Sequence, residues 1–509
     1  MSFSKKTDAL IIAALIFFVF IFNPIILSVD NLTYYNQTLD FINYIFKDHS
    51  IILKIQNTFF TIHNIPFVFL NKVLGFFFST LIVNFLTEYF INFILTFYII
   101  LAFYICYLLT YKKIKNKLYS LFLCVLIFFG TGLITFFSGS YVENIIILFF
   151  FLRFYCKNRF ILFSLDLSIC LIKPYYLIFI LFFCFLSEKK IFNKFLSNFN
   201  YFVFILLIVI IDVLIIKYFH ISHPIYDNGL DLKFKDILIN FRDIFFSSSS
   251  GIFNTLIFLI IFIIFGSKKE TIYKTICVLI FFIFLSLFNF WYAHLPMSGR
   301  YILSIIPFFF AEILNGFQYF LKKKNFFKII FFIFIFLNNL INLPTINIKN
   351  TSYNHYSTSA VDSGIFGSVN NQQKYFHPIN SPTFHQYYFN YKFLKAYFSG
   401  NESFYFESMH IKVLDVYPSL GILRIIYAIN NDDKIKNNKM LSKQVNSLIT
   451  LFSHKMNFLL TALIYILVLI YTFLNFYFLF EVIKNYKIKK KFLSYIYFTE
   501  HNQLNEKKY

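Results

Sequence analysis

Residues 202–216 read FVFILLIVIIDVLII, an apolar run interrupted by a single carboxylate. Comparable runs occur at Leu10–Leu27 and Phe326–Leu337. A helix that crosses a hydrocarbon core needs about 20 predominantly apolar residues, so such runs are typical of transmembrane helices. Of the 509 residues, 59% are apolar and only 14% are charged, with a mean hydropathy of +0.67. Because soluble proteins have about 25% charged residues, the composition predicts an integral membrane protein.

The net charge of +22 is distributed in a way that excludes a nucleic-acid-binding protein. Such a protein gathers its basic residues on one soluble face, whereas here they form short clusters between apolar runs. Basic clusters of this kind mark the cytoplasmic ends of membrane helices. The clusters are Lys5–Lys6, Lys112–Lys117, Arg153–Arg159, Lys189–Lys194, Lys268–Lys274, Lys322–Lys328 and Lys484–Lys491.

With these clusters in the cytoplasm, the sequence predicts an all-α polytopic membrane protein with about 12 transmembrane helices and both termini inside. The apolar stretch 64–85 is an alternative further span. We prefer to interpret it as a helix on or dipping into the outer surface, because a span there would invert the topology that follows. The predicted spans are 9–28, 87–111, 119–138, 142–156, 159–171, 174–187, 199–218, 251–266, 275–291, 300–318, 325–343 and 457–481.

The predicted topology divides the chain into three parts. Residues 1–343 form a transmembrane bundle with a first exoplasmic loop at 29–86, and residues 457–509 form the last membrane helix and a basic cytoplasmic tail. Between them, residues 344–456 form an exoplasmic insert. Turn residues in the insert separate short apolar runs, so we expect a small α+β unit there.

Asp30 directly follows the first predicted span, at the outer surface. A carboxylate at this position can act as a general base on an acceptor hydroxyl, or it can hold a divalent cation against phosphate oxygens. The alternative is a solvated carboxylate or a helix N-cap that happens to follow a span.

Further polar residues lie at the predicted outer ends of later spans. Glu143 begins the fourth span, where a charge is costly and is either functional or favoured by the helix N-terminus. Arg300 and Tyr301 open the tenth span, and arginine offers two donors to a phosphate; the alternative is an interfacial arginine that snorkels. Lys173 lies between two short spans, where it either binds a lipid phosphate or ends a broken helix.

His63, in the first exoplasmic loop, is a candidate polar ligand on the same side, although lone histidines are more often structural. Asp166 lies within a short span, as expected of a proton-coupled transporter. The chain lacks a phosphate-binding P-loop, a dinucleotide-binding glycine motif and the helical zinc-hydrolase motif. ATP, nicotinamide and zinc-hydrolase chemistry are therefore not indicated.

In their order along the chain, these motifs resemble the GT-C superfamily of membrane glycosyltransferases, which includes protein mannosyltransferases and aminoarabinose transferases. Asp30 with Tyr34 looks like the acidic first loop of that superfamily. The turn ending at Glu143, and Arg300-Tyr301 running into Pro307, are similar to its later motifs. Asp30 is followed by Asn31, whereas many members have a second acidic residue there.

The resemblance implies transfer of a sugar, with inversion, from a polyprenyl-phosphate carrier to an exoplasmic glycan, lipid or protein. Asp30 would be the catalytic base and, if the reaction uses Mg or Mn, the metal ligand. Arg300 and Lys173 would neutralise the lipid phosphate. Tyr301, Glu143, Tyr34 and His63 would contact the substrates. The expected location is a bacterial inner membrane, with the active site facing the periplasm.

Two other functions fit parts of the sequence. An O-antigen polymerase or ligase also has about a dozen spans and large outer loops, and it depends on exoplasmic arginines, here Arg242, Arg300 and Arg424. A transporter or lipid flippase would have inverted repeats, helices broken near the midplane and buried charges. The chain has only 13 glycines and no repeat of fixed period, which disfavours the transporter.

Overall fold

The computed structural model describes the helical part of the chain between residues 29 and 322, and short pieces beyond it. The predicted spans 9–28, 325–343 and 457–481, and most of the insert 344–456, lie outside the described residues. The described residues are 29–46, 58–76, 80–131, 133, 142–185, 191–218, 234–246, 252, 256–287, 300–322, 391–392, 395–396, 399–401, 403–406, 409–412, 443 and 484.

The described part of the chain is predominantly α-helical, as predicted. Two 3-10 helices interrupt the α-helices, and we call them the Pro174 turn (Pro174–Tyr176) and the Pro307 turn (Ile306–Phe309). The α-helices are α1 Val29–Phe46, α2 Thr58–His63, α3 Ile65–Gly75, α4 Thr80–Ile114, α5 Lys117–Phe129, α6 Glu143–Tyr155, α7 Arg159–Ile172, α8 Leu177–Phe185, α9 Ile191–Tyr218, α10 Phe234–Phe246, α11 Ile257–Phe265, α12 Lys269–Ser286, α13 Arg300–Leu303 and α14 Phe310–Leu321.

Among the described helices, α4 alone is both long and apolar enough to cross a membrane. Its segment Ile82–Ile114 has 33 residues and contains an 18-residue stretch with a mean hydropathy of 2.3. At 1.5 Å per residue it is about 50 Å long, which exceeds a hydrocarbon core of about 30 Å. Shorter apolar helices lie at Lys117–Phe128, Pro174–Phe183 and Phe199–Leu214. The arrangement of twelve spans remains a prediction.

The first exoplasmic loop is helical, and α3 runs back along α4. Asn71 of α3 donates to Asn84 Oδ1 and Thr87 Oγ1 of α4, at 3.3 and 3.2 Å. With 11 residues, α3 is about 16 Å long and too short to cross the bilayer. This length favours the interpretation of 64–85 as an outer-surface segment rather than a span.

Asparagine caps start the helices that follow two tight turns. Asn116 accepts from Tyr119 N at 3.1 Å and Asn158 accepts from Phe160 N at 2.9 Å, so each cap pairs a backbone donor that the first helical turn leaves open. The preceding helices end at Ile114 and Tyr155. These short connections fold α4 with α5, and α6 with α7, into neighbouring helices.

The centre of the bundle is packed with aromatic side chains. Phe128 of α5 contacts Phe103 of α4 and Phe151 of α6, with ring centroids 5.3 and 5.9 Å apart. The helix α10 packs on the end of α12, where Asn240 donates to Ser286 O at 3.1 Å. The predicted loop 219–250 therefore contains a helix.

The predicted span 300–318 is not one continuous helix. Pro307 lacks a backbone N–H and its ring clashes with the carbonyl four residues earlier, so a helix breaks there. The chain instead forms α13, the Pro307 turn and α14 in succession. At the far end, Gln318 of α14 donates to Lys113 O of α4 at 3.3 Å. The C-terminal ends of these two helices are therefore neighbours, as the predicted topology requires.

The described piece of the insert contains a two-stranded antiparallel sheet. Strand β1 (Ser403–Phe406) pairs with β2 (Met409–Lys412), with Phe404 opposite Ile411. Two of the short apolar runs in the insert are Ile411–Val416, whose start overlaps the end of β2, and Ile422–Ala428, which lies outside the described residues.

Helices α11 and α14 cross at two glycines with direct backbone contact. A Cβ on Gly266 would lie 2.6 Å from Gly316 N, and a Cβ on Gly316 would collide with the Phe262 carbonyl. No side chain fits between these backbones, so the crossing depends on both glycines. Small residues at helix contacts allow such close approach in membrane proteins.

We expect Gly316→Ala to lower the stability of the protein by about 1–3 kcal/mol, because the added methyl forces the two backbones apart. In an ordinary helix the same change stabilises by about 0.5–1 kcal/mol. The measurement is the thermal midpoint of the detergent-purified protein, followed by size-exclusion chromatography. Gly75→Ala is the matched control, because no atom lies within 4 Å of its added Cβ. Equal midpoints for both variants would rule out the close crossing.

Candidate functional site

Asp30 and Tyr34 lie in the first two turns of α1. They are four residues apart, so they occupy the same side of the helix. The described part of the helix begins at Val29, so Asp30 belongs to its first described turn. The sequence therefore predicted the position of Asp30 at the start of the first loop, but not that the loop begins as a helix.

The next residue, Tyr35, anchors α1 in the fold, and the sequence analysis missed its role. Its side chain is buried near Glu88 of α4 and Asn71 of α3. Burial is the main cause that raises the pKa of Tyr35 to about 12, and the Glu88 carboxylate raises it further. The phenol is therefore neutral and holds the start of α1 against α3 and α4.

His63 is held as a neutral imidazole between α2, α3 and α4. Its Nδ1 lies 3.1 Å from Asn64 Oδ1 and its Nε2 lies 3.0 Å from the Tyr98 hydroxyl. Because the amide oxygen can only accept, Nδ1–H donates and Nε2 accepts from Tyr98. Burial lowers the pKa of His63, outweighing the Asn64 hydrogen bond. A substrate would have to displace one of these two partners to bind the ring.

Glu143 lies at the same level of α4 as His63. It is the first residue of α6 and is fully buried. The adjacent Asn144 donates to Leu95 O at 3.0 Å, one helical turn from Tyr98. The partner of His63 and the partner of Asn144 therefore lie one helical turn apart on α4, so the two predicted site residues are held by the same segment of that helix.

Lys173 and Arg300 belong to two helix breaks that contact each other. Lys173 has an extended backbone after α7, immediately before the Pro174 turn. Arg300 begins α13, one turn before Ser304. The hydroxyl groups of Tyr176 and Ser304, both buried, are hydrogen-bonded to each other. Both predicted phosphate-binding cations thus lie within four residues of one hydrogen bond.

The two breaks are also joined by aromatic packing. Phe179 of α8 contacts Phe308 of the Pro307 turn, with ring centroids 4.8 Å apart, and Phe150 of α6 contacts Tyr176 at 6.0 Å. Irregular backbone at membrane depth is tolerated only where it is buried in protein or lines a cavity. A buried pair of breaks is therefore the part of this bundle best suited to a binding site. The side chains of Arg300 and Tyr301 lie outside the described ones.

Arg153 was interpreted as a cytoplasmic topology signal, but the structure shows that it forms an ion pair inside the bundle. Its Nε donates to Asp166 Oδ1 at 2.8 Å, and Tyr201 donates to Asp166 Oδ2 at 2.8 Å. The guanidinium lies 3.7 Å from the ring centroid of Phe183. Two features of the sequence could have predicted this ion pair. Position 153 is an arginine in a lysine-rich chain, and an aspartate lies in the next helix.

Lys274 was likewise assigned to a cytoplasmic cluster, and the structure places its side chain inside the bundle. Its ammonium group is buried and lies 2.8 Å from Glu312 Oε2. Lys274 belongs to the buried face of α12, with Thr271, Val278 and Phe281. This spacing of three and four residues indicates a helix face that packs inward. The basic clusters were identified without considering which face of a helix each lysine occupies.

No group of three or more His, Cys, Asp and Glu residues in the described part of the chain is arranged to hold a metal ion. The prediction that Asp30 would ligate Mg or Mn concerns a side chain outside the described ones.

The neutral state of His63 makes the stability of the protein depend on pH. Because its folded pKa lies below the ordinary value of 6.5, the unfolded chain takes up the proton first as pH falls. The stability contribution is therefore present above about pH 6.5 and is lost on acidification. We expect the thermal midpoint of the wild type to fall more between pH 7.5 and 5.5 than that of His63→Gln.

The control for this experiment is His410→Gln, which removes a histidine from strand β2 and should retain the acid sensitivity of the wild type. If His63→Gln loses as much stability on acidification as the wild type, the neutral arrangement of His63 is wrong.

Comparisons with known proteins assign no function to this site. No protein-family model matches the chain, and neither a curated protein nor a solved structure matches it.

Proposed function

We propose that the protein is an integral membrane glycosyltransferase, of the GT-C type that its motifs resemble. It transfers a sugar from a lipid-phosphate carrier to an exoplasmic acceptor, with inversion at the anomeric carbon. The observation that supports it best is the hydrogen bond between Tyr176 and Ser304. This contact joins the segment after Lys173 to the segment after Arg300, as expected if both cations bind one lipid phosphate.

In the proposed reaction, the acceptor oxygen forms a bond to the anomeric carbon while the bond from that carbon to the phosphate oxygen breaks. Asp30 takes the proton of the acceptor hydroxyl. The electron pair of the broken bond stays on the phosphate, whose charge Arg300 and Lys173 stabilise. If the reaction uses a divalent cation, Asp30 is its ligand.

The remaining candidate residues would shape the site. Tyr301 and Tyr34 lie beside the proposed phosphate and acceptor residues in sequence, and Glu143 orients the acceptor or the sugar. His63 is neutral, so we assign it to the architecture of the first loop rather than to the binding of the phosphate charge. The proposed site faces the periplasm from a bacterial inner membrane, where a polyprenyl phosphate presents its headgroup.

A transporter of lipid-linked glycans is the second candidate, and two observations favour it. The described residues contain two proline-broken helices in contact and two ion pairs inside the bundle, and both features are common in transporters. The charges of these two ion pairs neutralise each other, however, which also fits a structural role.

We expect Asp30→Asn to reduce transfer by about 10²–10⁴-fold, the usual contribution of a general base. The purified protein in detergent is given a polyprenyl-phosphate-linked sugar and a lipid extract, and products are detected by mass spectrometry. Asp40→Asn, which changes an exposed carboxylate on the same helix, is the matched control and should leave the rate unchanged.

In parallel, surface glycans are compared in the native strain, a deletion, and the deletion rescued with Asp30→Ala.

Each result separates two alternatives. Product formed in detergent, where no compartments exist, excludes a pure transporter. Loss of the glycan in the deletion without any product in detergent supports the transporter instead. Full rescue of the surface glycan by Asp30→Ala would remove Asp30 as the catalytic base.

A further inference from the structure

The ammonium group of Lys274 is surrounded by partners from three elements. It donates to Glu312 Oε2 of α14 at 2.8 Å and to Phe308 O of the Pro307 turn at 3.0 Å. It also lies 5.4 Å from the ring centroid of Phe308 and 5.9 Å from that of Phe182, within the range of a cation–π interaction. A side chain on α12 thus holds a backbone atom of the Pro307 turn.

The Pro307 turn needs such a partner because its backbone is irregular. Within the turn, Phe308 N donates to Ile305 O at 2.9 Å. This bond joins residues three positions apart, as in a 3-10 helix, rather than four as in an α-helix. A backbone carbonyl left in a low-dielectric core must be paired. Lys274 binds the turn through Phe308 O, and Tyr176 binds the same segment four residues earlier, through Ser304.

We propose that Lys274 and Glu312 are positioning residues, which fix the Pro307 turn so that Ser304 meets Tyr176. The segment that begins at Arg300 is then held next to the segment that follows Lys173. The effect of this pair on sugar transfer rests on the proposed function, whereas its effect on the position of Ser304 does not.

A general contribution to stability does not explain this arrangement. A buried ion pair can often be replaced by apolar residues without loss of stability, because the two charges no longer have to be desolvated. A methionine at position 274 fills similar space but cannot donate to Phe308 O. The Arg153–Asp166 pair provides the contrast, since its described hydrogen bonds join side chains only, to each other and to Tyr201.

The experiment measures how fast a cysteine at position 304 reacts with a thiol reagent. Ser304 is buried, and Ser304→Cys has nearly the same volume. The full-length protein in native membranes is treated with membrane-permeant N-ethylmaleimide. Peptide mass spectrometry then reads labelling at position 304 separately from the six native cysteines. We expect slow labelling in the otherwise unchanged protein.

In the Lys274→Met/Glu312→Met background we expect labelling at position 304 to become about tenfold faster, because the turn opens locally. The protein should still elute as a folded species, since no buried charge is left without a partner. The matched control is Arg153→Met/Asp166→Met, which should change the labelling rate by less than about twofold. An unchanged rate in the Lys274→Met/Glu312→Met background overturns the proposal, and so does an equal increase in the control.

The same variants, with Ser304 intact, are then assayed for transfer in detergent. Positioning predicts that Lys274→Met/Glu312→Met loses about tenfold in kcat/KM for the lipid-linked donor, while the Arg153→Met/Asp166→Met control keeps its value. Faster labelling with no transfer by the wild type supports the structural role and refutes the proposed function. Wild-type transfer with unchanged labelling refutes the positioning role alone.

Discussion

The fold depends on one constraint, that a backbone in hydrocarbon must pair its own polar groups. Helices satisfy it internally, and the described bundle departs from helix chiefly at two prolines. At Pro174 and Pro307 the departure is stabilised from outside the helix, by Tyr176 with Ser304 and by Lys274 with Phe308 O. The two irregular segments are thus paired with each other and with a neighbouring helix, which makes them the most specifically held part of the structure.

Charge in this bundle follows the same rule as the backbone. Arg153 pairs with Asp166, and Lys274 pairs with Glu312, so each buried cation has a carboxylate from another helix. Between them, Phe183 contacts Arg153 and Phe308 contacts Lys274, and these two rings are 5.4 Å apart. The two pairs are therefore linked through aromatic rings, and together they connect helices α6, α7, α12 and α14.

The sequence allowed the helical class and the position of α4 to be predicted, because these follow from hydropathy. It did not reveal the burial of Arg153 and Lys274, since a charge count ignores which face of a helix a residue occupies. The contact between Tyr176 and Ser304 joins residues 128 positions apart, and no local pattern encodes it. The role of Tyr35 was missed because the prediction concerned Tyr34. One position along a helix rotates a residue about the helix axis by about 100°.

The glycine crossing has a consequence for motion. Side chains between two helices can change rotamer and let the helices slide, but α11 and α14 touch through their backbones at Gly266 and Gly316. At the crossing itself no side chain can rearrange to let the backbones slide, so we expect α11 and α14 to move as one rigid body. The Pro307 turn lies at the N-terminal edge of that body. Under the proposed function, an opening of the bundle that admits a lipid tail is therefore expected between other helices.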